Sequence, residues 1–184
     1  KLRGQYVVLG AHYDHLGRDG TFATDGKAGD AIRNGADDNA SGTAAVLELA
    51  HMLRRRPLRR SVMFVHFSGE EQGLLGSRHF VEGSPVPLDS VQAMLNFDMV
   101  GRLTNGKLIV NGVGTATELR AILDSANAHG TPPLDVTANP DGFGPSDHSS
   151  FFARNIPVLH FFTNVHADYH AATDDAGRVD AEGT

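Results

Sequence analysis

Two adjacent glutamates, Glu70 and Glu71, follow an apolar run in the stretch FSGEEQGLLGS. Two carboxylates that close a buried strand repel each other, and desolvation raises their pKa values. A divalent metal ion would offset that repulsion, because such ions accept carboxylate and imidazole ligands. A metal site that hydrolyses a bond also needs one carboxylate that stays free to act as a general base.

Side chains of the same chemical type occur in three other segments. His12 and Asp14 lie in GAHYDH, where a metal-binding imidazole could donate its second N–H to a carboxylate. The pair Asp37 and Asp38 lies in GADDNASG, and Asp98 ends the apolar run LNFDM. Taken singly, these segments also fit a solvated strand end, a helix cap and a loop contact.

Two histidines, His148 in PSDHSSF and His170 in ADYHAATDD, lie in polar segments near the end of the chain. A single loop histidine more often has no ligand role. The high histidine count, 10 in a chain without tryptophan, is a weak hint of metal chemistry.

Apolar runs that predict buried strands alternate with segments of helical spacing. The predicted strands are residues 5–11, 61–67, 91–99, 107–111, 134–137 and 156–162, and the predicted helices are residues 41–56, 73–81, 115–129 and 146–153. This alternation favours an α/β fold with a sheet covered on both faces. A polar loop of unassigned role is predicted at residues 17–32.

The predicted fold explains why the candidate residues would meet. In α/β sheets ligands bind beyond the carboxyl ends of the strands, and most of the candidates follow strand ends. Five or more carboxylates gathered there need cations to offset their charge. Two metals about 3.5–4 Å apart would activate water and polarise a carbonyl group.

Composition limits the function classes. The chain has 184 residues, a formal net charge of −6 and no cysteine, so general nucleic-acid binding, disulfides and cysteine-ligated metals are disfavoured. No run is long and apolar enough to span a membrane, and no signal peptide is visible. Because the chain begins at Lys1 and enters a strand at once, we expect a processed or trimmed segment.

Six segments in this order carry a family resemblance: GAHYDH, NGADDNASGTAAVLELA, FSGEEQGLLGS, LNFDMVGR, GPSDHSSF and DYH. Over about residues 5–183 the chain resembles the di-zinc aminopeptidase family of aminopeptidase S and aminopeptidase Y. The resemblance implies a three-layer α/β/α fold with a mixed, mostly parallel sheet. It also implies a single catalytic domain over residues 1–184, trimmed at both ends, two Zn²⁺ per chain, and a secreted or periplasmic location.

The resemblance implies a set of metal ligands. His12 and Asp98 match ligands of one zinc, and Glu71 and His170 match ligands of the other. Asp37 matches the carboxylate that bridges both ions, and the peptide bond that follows it is expected to be cis.

The resemblance also implies catalytic roles. Glu70 matches the general base, Asp14 the carboxylate that orients the histidine ligand, and Tyr169 a tyrosine that stabilises the oxyanion in some members. A further motif lies beside the substrate cleft and consists of Ser146, Asp147 and His148. The implied reaction is hydrolysis of the peptide bond that follows a free amino terminus.

Alternatives stay open at this point. A related carboxypeptidase would bind the substrate carboxylate with basic side chains, for which Arg18, Arg78 and Arg102 are weak candidates. A glutaminyl cyclase would work with one zinc, and a binding module on the same fold would have lost ligands.

The preferred N-terminal residue of the substrate is open. A bulky apolar residue such as leucine is a guess from Phe143, Phe151, Phe152, Phe161 and Phe162. The oligomeric state is left open.

Overall fold

The computed structural model describes residues 2–18, 20–26 and 31–183. Part of the predicted polar loop, residues 19 and 27–30, lies outside the described residues. The strands are β1 (Leu2–His12), β2 (Arg60–Phe67), β3 (Val91–Phe97), β4 (Lys107–Asn111), β5 (Asp135–Asn139) and β6 (Val158–Phe162). The α-helices of the described residues are α1 (Gly42–Leu53), α2 (Leu75–Glu82), α3 (Leu119–Ala128) and α4 (His148–Phe152).

The strands form one 6-stranded sheet in the order β2-β1-β3-β6-β4-β5. All neighbours pair in parallel except β4 and β6, which are antiparallel. The predicted mixed, mostly parallel sheet is therefore confirmed. The predicted strand and helix positions agree with the structure, and the differences are shifts of a few residues at the element ends.

Both faces of the sheet carry apolar side chains because the central strands are apolar along their whole length. On one face, Val8, Met94 and Val158 pack with Val81 of α2 and Phe151 of α4. On the other face, α3 packs on β4 and β6 through contacts that include Val110, Leu119, Leu123 and Leu159. Helix α1 packs against β1, β2 and β3.

The strand order brings the polar strand ends together. Strands β1, β2 and β3 are parallel neighbours, with β1 in the centre. His12 ends β1, Glu70 and Glu71 follow β2, and Asp98 follows β3. These side chains therefore extend from one edge of the sheet. Among the described residues, no helix has both the length and the apolar character needed to span a bilayer.

Candidate metal centre

The two glutamates lie in a tight turn after β2. Asp14 holds this turn, since its carboxylate accepts the backbone N–H groups of Glu70 at 3.2 Å and Glu71 at 3.4 Å. The chain then enters α2 at Leu75, where Gly76 lies against Ser68; a Cβ on Gly76 would come within 2.4 Å of the Ser68 carbonyl oxygen. Sequence and packing thus fix both carboxylates at the carboxyl edge.

A first group of potential ligands surrounds His12, which is 1% exposed. Its Nε2 lies 3.3 Å from Oδ1 of Asp98 and 3.4 Å from Oδ1 of Asp38. A ligand atom of Glu70 lies within 4.8 Å of those of His12 and Asp98. The Nδ1 of His12 donates to the backbone carbonyl of Asp14 at 3.1 Å. This bond leaves Nε2 as the nitrogen that faces the carboxylates.

The Asp14 contact corrects one expectation. The resemblance implies that the Asp14 carboxylate orients His12, but that carboxylate is 3.8 Å from Nδ1 and instead accepts the backbone N–H groups of the glutamate turn. The backbone carbonyl of Asp14 orients the imidazole. Asp14 therefore supports both His12 and the glutamates, through different atoms.

A second group of potential ligands surrounds His170. Its Nε2 lies 3.2 Å from Oδ2 of Asp38 and 3.2 Å from Oε2 of Glu71. Its Nδ1 donates to the carbonyl of Phe22 at 3.0 Å, so a residue of the predicted polar loop orients this ring. The opposite oxygen of Glu71, Oε1, accepts a hydrogen bond from Nδ1 of His15 at 2.6 Å.

Asp38, not Asp37, lies between the two groups. One Asp38 oxygen faces His12 and the other faces His170. The carboxylate of Asp37 is engaged elsewhere, where Oδ1 accepts the Gly101 N–H at 2.7 Å and Oδ2 lies 3.0 Å from Nε2 of His166. The prediction that Asp37 bridges is therefore wrong.

The backbone between Ala36 and Ser41 explains which aspartate faces the site. Asp38 and Asn39 have non-helical torsions there, and the carboxylate of Asp174 accepts the N–H groups of Asp37 at 2.9 Å and Asp38 at 3.1 Å. The cis peptide bond joins Asp38 and Asn39. The predicted cis bond between Asp37 and Asp38 is thus one residue too early.

Burial and neighbouring charges give the two glutamates opposite proton affinities. Burial raises the pKa of Glu70 to about 9; the charge of His12 opposes this rise, whereas Asp98, Asp147 and Glu71 add to it. Burial also acts on Glu71, but hydrogen bonds from His15 and His170 outweigh it and lower the pKa to about 2. Glu71 therefore loses its proton far more readily than Glu70.

Tyr169 lies beside the second group. Its ring stacks on that of His170 with centroids 3.8 Å apart. Burial raises the pKa of its phenol, and the charges of Asp38 and Glu71 raise it further. The phenol is therefore a protonated hydrogen-bond donor at neutral pH. A cavity of about 240 Å³ is lined by Tyr169 together with residues of both groups.

The Ser146–His148 motif lies behind this cavity. Ser146 lines it, and its hydroxyl accepts a hydrogen bond from the Asn96 amide at 2.7 Å. Burial raises the pKa of Asp147 to about 6. His148 is fully buried, and its ring stacks on that of His160 with centroids 4.3 Å apart. The motif thus supports the wall of the cavity.

The late phenylalanines do not form a single substrate pocket. Phe162 lines the cavity, but Phe151 is fully buried in the core, and Phe161 stacks on Phe97 with centroids 5.1 Å apart. Phe143 is exposed and contacts Phe152 edge to face, with centroids 4.7 Å apart. The expectation of an aromatic pocket for a bulky side chain is supported by Phe162 alone.

The spacing and chemistry of the donor atoms are compatible with zinc. Nitrogen and oxygen ligands of tetrahedral zinc lie at about 2.0–2.1 Å from the ion, which separates ligands by roughly 3.3 Å. The separations within the two groups are 3.2–3.4 Å. Imidazole and carboxylate donors without cysteine also suit zinc.

Sequence reasoning missed two further contributors, His15 and Phe22. His15 stands three residues after His12 in HYDH, and that spacing is the signal that could have indicated it. Phe22 contributes only its backbone carbonyl, which no side-chain pattern reveals.

A mixed α/β sheet with two acidic and histidine-containing groups at its carboxyl edge is an arrangement that suits a metal-dependent hydrolase. The profile of Peptidase family M28 matches residues 1–184. The chain belongs to peptidase family M28.

Curated relatives include Leucine aminopeptidase 2 of Trichophyton equinum, 32% identical over 166 residues, which cover 86% of this chain and 31% of that protein. Aminopeptidase YwaD of Bacillus subtilis (strain 168) is 31% identical over 187 residues, which cover 96% of this chain and 37% of that protein. The chain thus spans about a third of the length of these relatives.

Solved structures share the fold. BSAP, a zinc aminopeptidase from Bacillus subtilis, superposes with a TM-score of 0.79 at 27% identity over 100% of this chain and 43% of that chain. A glutaminyl cyclase from Porphyromonas gingivalis superposes with a TM-score of 0.78 at 20% identity over 97% of this chain and 68% of that chain. At that identity, the second likeness shows the fold alone.

Proposed function

We propose that this chain carries the active site of a metallo-aminopeptidase that hydrolyses the N-terminal peptide bond of peptides with two zinc ions. One observation carries the proposal: the two carboxylate oxygens of Asp38 face different ligand groups, one at His12 and one at His170. A carboxylate placed in this way suits a pair of ions that act together.

The proposed ligands follow from the two groups. His12 and Asp98 would hold one zinc, Glu71 and His170 the other, and Asp38 would bridge them. The bound ions would supply charge that polarises the scissile carbonyl and makes water a better nucleophile.

Glu70 would act as the general base and then as the general acid. Its carboxylate lies near the first group but is the one most easily protonated, since burial raises its pKa to about 9. Positive charge from bound ions would lower that value toward neutrality, where a general base works best. Glu70 would take a proton from the attacking water and return it to the leaving amine.

Tyr169 would stabilise the oxyanion. Its phenol stays protonated at neutral pH, and its ring lies against His170 at the wall of the cavity. A single oxyanion donor of this kind is typically worth about a hundredfold to a thousandfold in rate.

Paired substrates test the reaction. The zinc-loaded protein should release aniline from leucine anilide and other amino-acid anilides, and it should leave the N-acetylated forms of the same anilides intact. Preferential cleavage of peptides with a blocked amino terminus and a free carboxyl terminus would instead support a carboxypeptidase. Cyclisation of an N-terminal glutamine without cleavage would support a cyclase, and inactivity with both zinc ions bound would support a binding module.

The cellular location is a separate proposal. A secreted or periplasmic enzyme is expected from the family resemblance alone. Cell fractionation with an antibody against the protein would test it, and recovery of the protein solely in the cytosol would contradict it.

A further inference from the structure

His15 lies in the irregular segment that follows β1, and its side chain contacts the second ligand group. Its Nδ1 is 2.6 Å from Oε1 of Glu71. A carboxylate oxygen can only accept a hydrogen bond at neutral pH, so Nδ1 is the donor. The side chain of His15 is 7% exposed, and its Nε2 has no hydrogen-bond partner among the described residues.

The two oxygens of Glu71 have different partners. Oε2 lies 3.2 Å from Nε2 of His170, a separation that suits two ligands of one zinc ion, whereas Oε1 bonds to His15. His15 is also 3.9 Å from Oδ2 of Asp38, and its ring meets that of His170 edge to face with centroids 5.6 Å apart. The imidazole therefore lies beside the metal ligands and contacts one of them.

Gly35 provides the space that the His15 ring occupies. A Cβ at Gly35 would lie 2.5 Å from Cγ of His15 and 2.2 Å from the backbone oxygen of Asp38. Gly35 has a φ of +64°, a conformation that side-chain-bearing residues rarely adopt. The turn before Asp38 and the His15 ring thus pack closely against each other.

We infer that His15 is a positioning residue for the second zinc site: its hydrogen bond fixes one oxygen of Glu71 so that the other faces His170 and Asp38. This inference rests on the proposed two-zinc function. Outer partners of this kind typically change metal affinity by about 10–100-fold when they are removed. Loss of the His15 donor should therefore weaken the second site and leave the first nearly unchanged.

Three variants separate positioning from other roles. His15→Leu removes the donor at similar size, and His15→Asn places an amide N–H near the position of Nδ1. His79→Leu, a change of an exposed histidine on α2, is the matched control. Zinc dissociation constants of both sites are measured by competition with a chromophoric chelator, and zinc content at saturation is measured by elemental analysis.

We expect His15→Leu to bind zinc about 10–100-fold more weakly at one of the two sites and still to hold two zinc ions at saturation. His15→Asn should restore the affinity to within a few-fold, and His79→Leu should match the wild type. Wild-type affinities in His15→Leu would overturn the inference. Saturation at one zinc in both His15 variants would also overturn it, since that result would make His15 a ligand.

Two further measurements keep the result interpretable if a variant misfolds or if the wild-type protein binds only one zinc ion. If His15→Leu does not fold, as judged by circular dichroism of the metal-free protein, His15→Gln replaces it, because its longer side chain carries the amide past the Nδ1 position. The same affinity loss is expected, and its absence would overturn the inference. If the wild-type protein itself binds a single zinc ion, the proposed two-zinc function is wrong. Elemental analysis of the wild type shows this before any variant is measured.

Discussion

Glu70 and Glu71 are neighbours in the chain, yet they are suited to opposite tasks. In the metal-free protein, hydrogen bonds from His15 and His170 keep Glu71 ionised, and the His15 bond remains available when His170 binds a metal. Burial among acidic residues favours the protonated form of Glu70. Pairs of carboxyl groups with separated pKa values are typical of sites that divide acid, base and ligand roles.

Substitution of each glutamate should separate these roles. Glu70→Gln should keep both zinc ions and lose about a hundredfold to ten-thousandfold in activity, because glutamine cannot take a proton at neutral pH. Glu71→Gln should bind the second zinc more weakly, because a neutral ligand replaces an anion. Elemental analysis beside an anilide assay distinguishes the two variants.

Loss of a zinc in Glu70→Gln, with both ions retained in an inactive Glu71→Gln, would show that the two roles are reversed. Full activity in both variants would remove the pair from the reaction.

At the level of single residues, the sequence predicted most of the candidate ligands because they end strands or follow them. It failed at the aspartate pair, because two identical neighbours give no signal about which one faces inward. That choice depends on the backbone torsions at Asp38 and on Asp174, which is distant in the chain. The contacts of His15 with Glu71 and of Phe22 with His170 also join residues that are distant in the chain, so local sequence patterns do not reveal them.

The turn before α1 shows how elements control the site. Asp174 is fully buried, accepts the N–H groups of Asp37 and Asp38, and pairs with Arg102 at 3.0 Å. These contacts join the segment after His170 to the turn that carries Asp38. Asp174 thereby links two segments that hold proposed metal ligands.

Asp174→Asn should lower the free energy of unfolding by about 1.5–3 kcal/mol, because it removes a buried charge that accepts two backbone N–H groups, whereas Arg102 stays paired with Asp168. Urea unfolding of the metal-free protein measures this change. The control is Asp124→Asn, which breaks the exposed Arg120–Asp124 pair on α3 and should cost less than about 0.5 kcal/mol. Equal effects in the two variants would contradict a structural role for Asp174.

The stacked pair of His148 on α4 and His160 on β6 should make the fold sensitive to acid. Burial and, to a smaller extent, the charge of His160 lower the pKa of His148 from 6.5 to about 3, against the opposing charge of Asp98. Because the unfolded chain binds a proton at His148 more readily than the folded protein does, the free energy of unfolding is highest above pH 6.5. It falls as the pH drops from 6.5 toward 3.

His148→Phe should therefore flatten the fall of the unfolding free energy between pH 6.5 and about 4.5. The full effect of one such group is about 1.4 kcal/mol per pH unit. Urea titrations of the chelated proteins at several pH values measure the slope. Identical slopes in wild type and variant would show that His148 does not titrate in this way.

At the scale of the whole molecule, the alternation of elements indicated the α/β class, but not the strand order. The antiparallel pairing of β4 with β6 depends on the path of the chain between these strands, and the spacing of apolar residues within a strand carries no information about that path. The element ends also differ from the predictions, because tertiary contacts decide where a strand or helix stops.

The metals should stabilise the whole fold, because the proposed ligands from distant parts of the chain come together only in the folded protein. Binding to the folded state alone adds about 2.7 kcal/mol at a hundredfold excess over the dissociation constant. Chelation should therefore lower the melting temperature in calorimetry, and Glu71→Gln should show a smaller shift. An unchanged melting temperature after verified metal removal would contradict a clustered site.

Asp38 lies between the two ligand groups, and anomalous diffraction from zinc-loaded crystals at the zinc absorption edge would show whether it binds two ions. We expect two peaks about 3.5–4 Å apart, one beside each oxygen of Asp38, with the Asp37 carboxylate still accepting a hydrogen bond from the Gly101 N–H. A single peak, or a zinc ion bound by Asp37, would contradict this expectation.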